Sequence, residues 1–312
     1  MPQYEEHLLI KVAENYYINE LTQQQIADKM NISRVKVSRM LSKAKRMGLV
    51  EIRIKYPTNR NIQIEKKIED IFNLKEALII SSDYKSKYQI LNEVARFAAR
   101  YLIENIKNGD VLGISWGKTL KIIASYLEYC GKKIEIVQML GNTSPNDISG
   151  DEIVRKFSKA FVSRYYLLPA PAIVDNERLK NMLMSDSKII EIFKKLNSVT
   201  FSIISIGNLS KESTFVSSGY LNNNDLKILA KSKAVGNFCG VFFDRYGNIC
   251  STIINKRVIG IGFEKLKIFP NVVAVSSGRE KAQAILGALR TGAINILITD
   301  ESTALEIISN NE

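Results

Sequence analysis

Residues 21–41 read LTQQQIADKMNISRVKVSRML, and this stretch decides the N-terminal fold. Thr22 is a good N-cap, and Gln25, three residues on, completes a capping box. The helix that follows carries Ile26, Ala27 and Met30 on one side. Asn31 ends it, because asparagine tolerates the left-handed backbone that a tight turn needs. Ser33 caps a second helix, whose Val37, Met40, Leu41 and Ala44 recur at spacings of three and four. Helix, tight turn, helix, with the small Ala27 where the two cross, is the helix-turn-helix pattern.

Working outward, Leu8, Leu9, Val12, Ala13 and Tyr16 predict an amphipathic helix ahead of the motif. Gly48 stops the second helix of the motif, and VEIRIKY (50–56) alternates as a short strand, the wing of a winged helix-turn-helix over residues 1–56. From Lys29 to Lys55 there are nine Lys and Arg residues, and only Glu51 opposes them. Removing the apolar face of the second helix leaves Arg34, Val35, Lys36, Ser38, Arg39 and Ser42 exposed, toward double-stranded DNA. In this motif the N-terminal end of that helix enters the major groove. Arg34 and Lys36 then reach guanine O6 and N7, and Val35 a thymine methyl. Thr22, Gln23, Arg39 and Lys43 sit where phosphate contacts are expected, and Ser33, the cap, is counted with the DNA-binding residues.

The chain has 312 residues, enough for two domains, and 46% of them are hydrophobic, which excludes a disordered or fibrous chain. Its net charge of +12 points to anionic partners. Cys130, Cys239 and Cys250 are odd in number and widely spaced, so neither a disulfide framework nor a zinc site is expected. The N-terminus is charged within a few residues, unlike a signal peptide. Runs such as ALII at 77–80 are far too short to span a bilayer. A cytoplasmic protein with no membrane partner, metal or cofactor is the expectation.

After the polar break at 57–60, IQIEKKIEDIF reads as a linking helix. Beyond it strands and helices alternate: EALII, then YQILNEVARFAARYLIENI, then DVLGIS, KTLKIIASYL, KIEIVQML, and so on to INILITD. Ile- and Val-rich runs separated by helices predict a largely parallel sheet covered on both faces, a three-layer α/β/α Rossmann-like domain over 57–312. Ligands of such sheets bind beyond the carboxyl ends of the strands. The residues there are Ser115, Gly117, Lys118 and Thr119, then Gly141 and Asn142, Asp175, Gly207, Asp244, and Gly278 with Lys281. GISWGKT (113–119) misses the Walker spacing by one residue, so an ATPase is rejected. A small-residue turn into a helix still aims backbone N–H groups at an anion. Trp116 sits in that turn, either at the ligand or packed on the sheet.

The ordered set LTQQQIADKMNISRVKVSRML, GISWGKTL, VQMLGN, LPAPAIVDN, AVGNFCGVFFDRYGNI and SSGREKAQAILGALRTGAINILITDESTA resembles the SorC family of bacterial transcriptional regulators over nearly the whole chain. The resemblance implies a winged helix-turn-helix joined to a domain similar to sugar-phosphate isomerases. It also implies a phosphorylated sugar as effector, no catalysis, and a homo-oligomer, typically a tetramer. Under it Ser115, Gly117, Lys118 and Thr119 fall in the phosphate-loop segment, and Asp244 and Lys281 in effector-pocket segments. Two departures bear on the sugar: Gly141-Asn142 replaces a Gly-Gly pair, and Ser276-Ser277-Gly278 replaces Ala-Gly-Gly. Leu140 offers no amine, so an imine from that position is excluded.

The leading reading is therefore a DNA-binding regulator, a repressor before an activator, acting on a palindromic operator. The rival is a sugar-phosphate isomerase or deaminase with a DNA-binding appendage, using Asp244, Glu280 or Asp175 as base and Lys281 as electrophile. The single histidine, His7, lies in the DNA-binding segment and supplies no relay there.

Overall fold

Runs of Ile, Val, Leu and Ala, buried on both faces, build the larger part of this chain. The computed structural model describes residues 3–50, 60–82, 86–142, 149–210 and 212–311. Three helices come first: α1 (Gln3–Tyr17), α2 (Gln23–Met30) and α3 (Arg34–Arg46). There follow α4 (Ile62–Phe72), β1 (Glu76–Ile80), α5 (Lys87–Asn105), β2 (Val111–Ile114), α6 (Lys118–Tyr126), β3 (Lys133–Gln138), α7 (Gly150–Ala160) and β4 (Val162–Tyr166). Next are α8 (Glu177–Met184), α9 (Ser187–Lys195), β5 (Phe201–Ser205), β6 (Gly207–Asn208), α10 (Thr214–Ser217), α11 (Asn223–Lys231), β7 (Ala234–Phe238) and β8 (Val241–Asp244). The last are α12 (Ile253–Arg257), α13 (Phe263–Lys267), β9 (Val272–Val275), α14 (Ala282–Arg290), β10 (Ile296–Asp300) and α15 (Glu301–Asn311). The chain divides into two compact units, Met1–Pro57 and Thr58–Glu312.

In the first unit Leu9, Val12 and Ala13 of α1 meet Ile26, Ala27, Val37, Met40, Leu41 and Ala44 in one core. The predicted wing over 50–56 lies, from Glu51 onward, outside the described residues.

In the second unit seven parallel strands run in the order β1-β10-β9-β5-β2-β3-β4. Successive side chains alternate between two cores, as the two-residue period of a strand requires. Leu78, Ile203, Val273 and Ile298 join one face with α5, α6 and α7, while Ala77, Ile204, Val272 and Leu297 join the other with α4, α9, α14 and α15. From β2 the chain winds one way through β3 and β4, then continues on the other side through β5. The gap between β2 and β5 is thus the switch point where open α/β sheets hold ligands.

Two features differ from the sequence reading. Helix α4, expected as a linker, is built into the sheet. Glu65 and Glu69 accept the N–H groups of Ile79 (2.8 Å) and Ala77 (2.8 Å) on the free edge of β1, which closes an otherwise reactive strand edge. Arg60 then grips Glu65 with two hydrogen bonds of 2.7 and 2.8 Å. Second, β6, β7 and β8 form a separate antiparallel sheet. Cys239 and Gly240, both at positive φ (49° and 75°), make the two-residue turn that joins β7 to β8, the hairpin geometry that matches strand twist.

Candidate functional site

In the first unit the caps set the geometry of the motif. Thr22 Oγ1 accepts from Gln25 N–H (3.3 Å), and Gln25 Oε1 accepts from Thr22 N–H (2.9 Å). Asn31 is left-handed at φ 55°, and Ser33 Oγ accepts from Lys36 N–H (3.2 Å). These contacts fix where α3 begins. Arg34, Val35, Lys36, Ser38 and Arg39 are all exposed, Val35 to 62% although it is apolar. Gln23 and Lys43 are half-buried at the two helix edges. A solvated apolar side chain flanked by Arg34 and Lys36 is what major-groove readout uses. The Thr22 and Ser33 hydroxyl oxygens are engaged as caps.

In the second unit a cavity of about 210 Å³ opens at the β2–β5 switch point. Its floor is the turn Ser115–Thr119. Gly117 caps α6 at φ 149°, and a Cβ there would lie 2.6 Å from Ser205 Oγ, so glycine is required. No side chain caps α6, and Gly117, Lys118 and Thr119 all line the cavity, which brings the positive end of the helix to it. Trp116 is 4% exposed, and its indole N–H donates to the Gly141 carbonyl (2.6 Å) while its ring packs on Phe215. It is both packed in the core and a wall of the cavity.

Lys281 enters the cavity from the opposite side, after β9. Among the described residues its ammonium has no hydrogen-bond partner. Burial pushes its pKa down, and Lys118 adds to that, against the opposing pull of Glu280. Lys118 itself donates to the Glu212 carbonyl across the cavity (2.6 Å). Two ammonium groups and a helix N-terminus around one small cavity favour a dianion. The rest of the lining is mixed: serines, threonines and asparagines, the apolar Trp116, Leu140, Ile206 and Phe215, and the acidic Glu212 and Glu280. Ser213 Oγ is buried without a partner, and Asn237, 5% exposed, makes no side-chain hydrogen bond among the described residues. Cys239 is an inert neighbour, since burial pushes its thiol up to about 12.

Six of the expected residues thus line one cavity: Ser115, Gly117, Lys118, Thr119, Gly207 and Lys281. Gly141 and Asn142 stand behind it. Gly141 takes the Trp116 hydrogen bond, and Asn142 Oδ1 accepts from Gln138 (2.8 Å) and Asp151 N–H (3.1 Å). Gly278 lines a second hollow on the far side of its turn. Asp175 and Asp244 are not among the lining residues of the cavity. The carboxyl-end rule holds for parallel strands, but β8 runs back from its hairpin, so Asp244 ends at the other side. There it accepts from Tyr246 N–H (2.8 Å) and Asn248 N–H (2.9 Å). Burial disfavours its charge, yet these bonds outweigh that and hold the carboxyl below its usual range. The same reversal puts Asn237 and Cys239, at the turn end of the hairpin, in the cavity. The residues NFCG (237–240) carried only a weak signal, since Gly240 marks a turn but the residue before it is Cys239 and not the Asn, Asp or Gly of a recognisable hairpin pair.

The Sugar-bind model of a sugar-binding domain matches residues 56–309. The chain is a SorC-family transcriptional regulator. A model of the Crp-like helix-turn-helix domain matches residues 7–66. The deoxyribonucleoside regulator of Bacillus subtilis is 34% identical over 99% of this chain and 100% of its own. The full-length sorbitol operon regulator SorC of Klebsiella pneumoniae superposes with a TM-score of 0.74, at 26% identity, over 96% of this chain and 98% of that one. A DeoR-family regulator from Listeria monocytogenes gives 0.74 at 30% identity over 79% of this chain and 98% of its own. The family regulates transcription through a DNA-binding helix-turn-helix and a sugar-binding domain, and the enzyme alternative has no support from these relatives. No helix among the described residues is long and apolar enough to cross a membrane.

Proposed function

We propose that this regulator is a repressor, active as a homo-oligomer, whose operator affinity is set by a phosphorylated sugar in the switch-point cavity. The observation that carries this reading is Lys281, a desolvated lysine facing Lys118 and the uncapped start of α6 across a small cavity. A phosphate dianion answers all three. The unpartnered Ser213 and Asn237 groups are then available to sugar hydroxyls, and Trp116 and Phe215 to carbon faces. With Leu140 beside the ligand, binding is non-covalent at that position. The proposed DNA contacts remain Thr22, Gln23, Ser33, Arg34, Val35, Lys36, Ser38, Arg39 and Lys43. An even-numbered oligomer presents paired α3 helices, which calls for a palindromic operator.

The test is thermal unfolding against phosphorylated sugars and their unphosphorylated counterparts. Because the Bacillus relative is named a deoxyribonucleoside regulator, phosphorylated deoxypentoses go first. At a concentration of about 100 Kd a ligand adds about 2.7 kcal/mol to stability, a rise of about 5–10 °C for a domain of this size. A response to a phosphorylated compound and none to its dephosphorylated form supports the reading. Equal responses to both would remove the phosphate from it.

A further inference from the structure

The turn that carries Lys281 is held at one side chain, Glu280 Oε2 accepting from Lys87 Nζ (3.2 Å) at the surface, and otherwise through its backbone. Gly278, at φ 110°, starts it, and the Lys281 N–H returns to the Gly278 carbonyl (2.8 Å). The Gly278 N–H donates to Asp300 Oδ2 (3.2 Å) and to Thr303 Oγ1 (2.8 Å). Asp300 is fully buried, and it also accepts from Ser302 Oγ (2.6 Å) and Thr303 N–H (3.0 Å). So the cavity turn is fastened to the first turn of α15 by a carboxylate that has no freedom left.

The next residue in the chain faces elsewhere. Glu301 Oε1 accepts from Asn61 Nδ2 (2.5 Å). Asn61 is the N-cap of α4, where its Oδ1 accepts from Ile64 N–H (3.3 Å), and its own N–H donates to the Ile79 carbonyl of β1 (3.0 Å). Its neighbour Arg60 bridges to Ile80, and Ile80 is in register with Asp300. Asn61 stands four residues past Pro57, the last residue of the first unit. Two adjacent side chains at the end of β10 therefore hold, one the effector-cavity turn, the other the first described residues of the second unit.

We propose that the Asp300–Glu301 pair is the joint through which occupancy of the cavity is passed to Asn61 and so to the segment that leads into the DNA-binding unit. This rests on the cavity being the effector site. A ligand that draws on Lys281 moves the Gly278 turn, and Asp300 cannot follow without shifting the start of α15, because a packed core moves as a body and does not deform continuously. Glu301 then carries the shift to Asn61. Asp300 and Glu301 are positioning residues here, since neither lines the 210 Å³ cavity.

The experiment is amide hydrogen exchange on the full-length chain, with saturating inorganic phosphate as the probe and sodium chloride at matched ionic strength as the control. In the wild type, phosphate slows exchange both at 278–282 and at 60–66, by about fivefold or more. Asn61→Asp keeps the helix cap but sets a carboxylate against Glu301, and Glu301→Ala removes the acceptor. In both, protection at 278–282 persists and protection at 60–66 is lost. Glu301→Gln keeps an acceptor and restores both. If phosphate protects 278–282 in the wild type and leaves 60–66 unchanged, the joint is refuted while the cavity stands. The joint is equally refuted if 60–66 responds as in the wild type in both uncoupled variants. If phosphate protects neither segment, the cavity reading falls, and the joint with it.

Discussion

Replacing Lys281 with methionine removes one ammonium from the cavity and keeps most of the volume. In the free protein this side chain is buried enough to have its pKa lowered, with no hydrogen-bond partner among the described residues, so its removal relieves a desolvation cost. The Lys281→Met protein is therefore expected to be at least as stable as the wild type without ligand. In the complex the same change deletes a charge-assisted hydrogen bond to phosphate, which costs about 1.5–3 kcal/mol. That is about 10- to 150-fold in Kd. Lys118 and the start of α6 remain, so binding is weakened and not abolished. The assay is calorimetric titration of both proteins with a sugar phosphate that stabilises the wild type, beside duplex-DNA binding without ligand, which stays unchanged. A variant that binds the sugar phosphate within about twofold of the wild type would refute the placement of the phosphate against Lys281.

Effector affinity falls as pH rises through the lowered pKa of Lys281, because a bound dianion requires the ammonium. Free-protein stability moves the other way, rising with pH between that value and the ordinary lysine value of about 10.4 as the unfolded chain holds the extra proton. Calorimetry and urea unfolding across alkaline pH read both, and parallel slopes would contradict the assignment. Gly117→Ala puts a Cβ 2.6 Å from Ser205 Oγ at φ 149°, a strain of about 1–3 kcal/mol. It lowers the midpoint of the second unit and weakens the sugar phosphate, as thermal unfolding with and without it will report. Arg34→Ala costs about 1–3 kcal/mol of operator affinity and relaxes one base position, leaving effector binding intact. A uniform loss across operator sequences would make Arg34 a phosphate contact instead. Trp116, the single tryptophan, changes its emission when the cavity fills, and an unchanged spectrum under a stabilising ligand would separate the ring from the site.

The helix-turn-helix was legible because each boundary has a local chemical cause. Thr22, Asn31 and Ser33 act within three or four residues of themselves, and the structure finds all three in those roles. The parallel sheet was legible for a related reason, since strands buried on both faces must be apolar throughout. Strand β4 was harder. It is an edge strand, and VSRYY alternates little because much of it is exposed. The cavity was legible where it is made by chain ends of parallel strands, as at Ser115–Thr119 and Gly207. It was obscured where direction reverses. GVFFD looks like another core strand, but the Cys239–Gly240 turn sends it backward, and that places Asn237 in the cavity and Asp244 outside it. The role of α4 depended on Glu65 and Glu69 reaching strand N–H groups that are distant in sequence. No local pattern announces such a contact.

Filling the cavity is expected to change the grip on DNA. This is tested most directly by fluorescence anisotropy of the full-length protein on a palindromic duplex selected from a random pool, titrated with the sugar phosphate that raises its unfolding midpoint. The phosphorylated compound is expected to shift the DNA Kd by about tenfold or more, within the usual range of coupling energies, the dephosphorylated sugar to leave it unchanged, and Lys281→Met to need correspondingly more ligand. A sugar phosphate that stabilises the protein yet leaves the DNA Kd unchanged at saturation would contradict it.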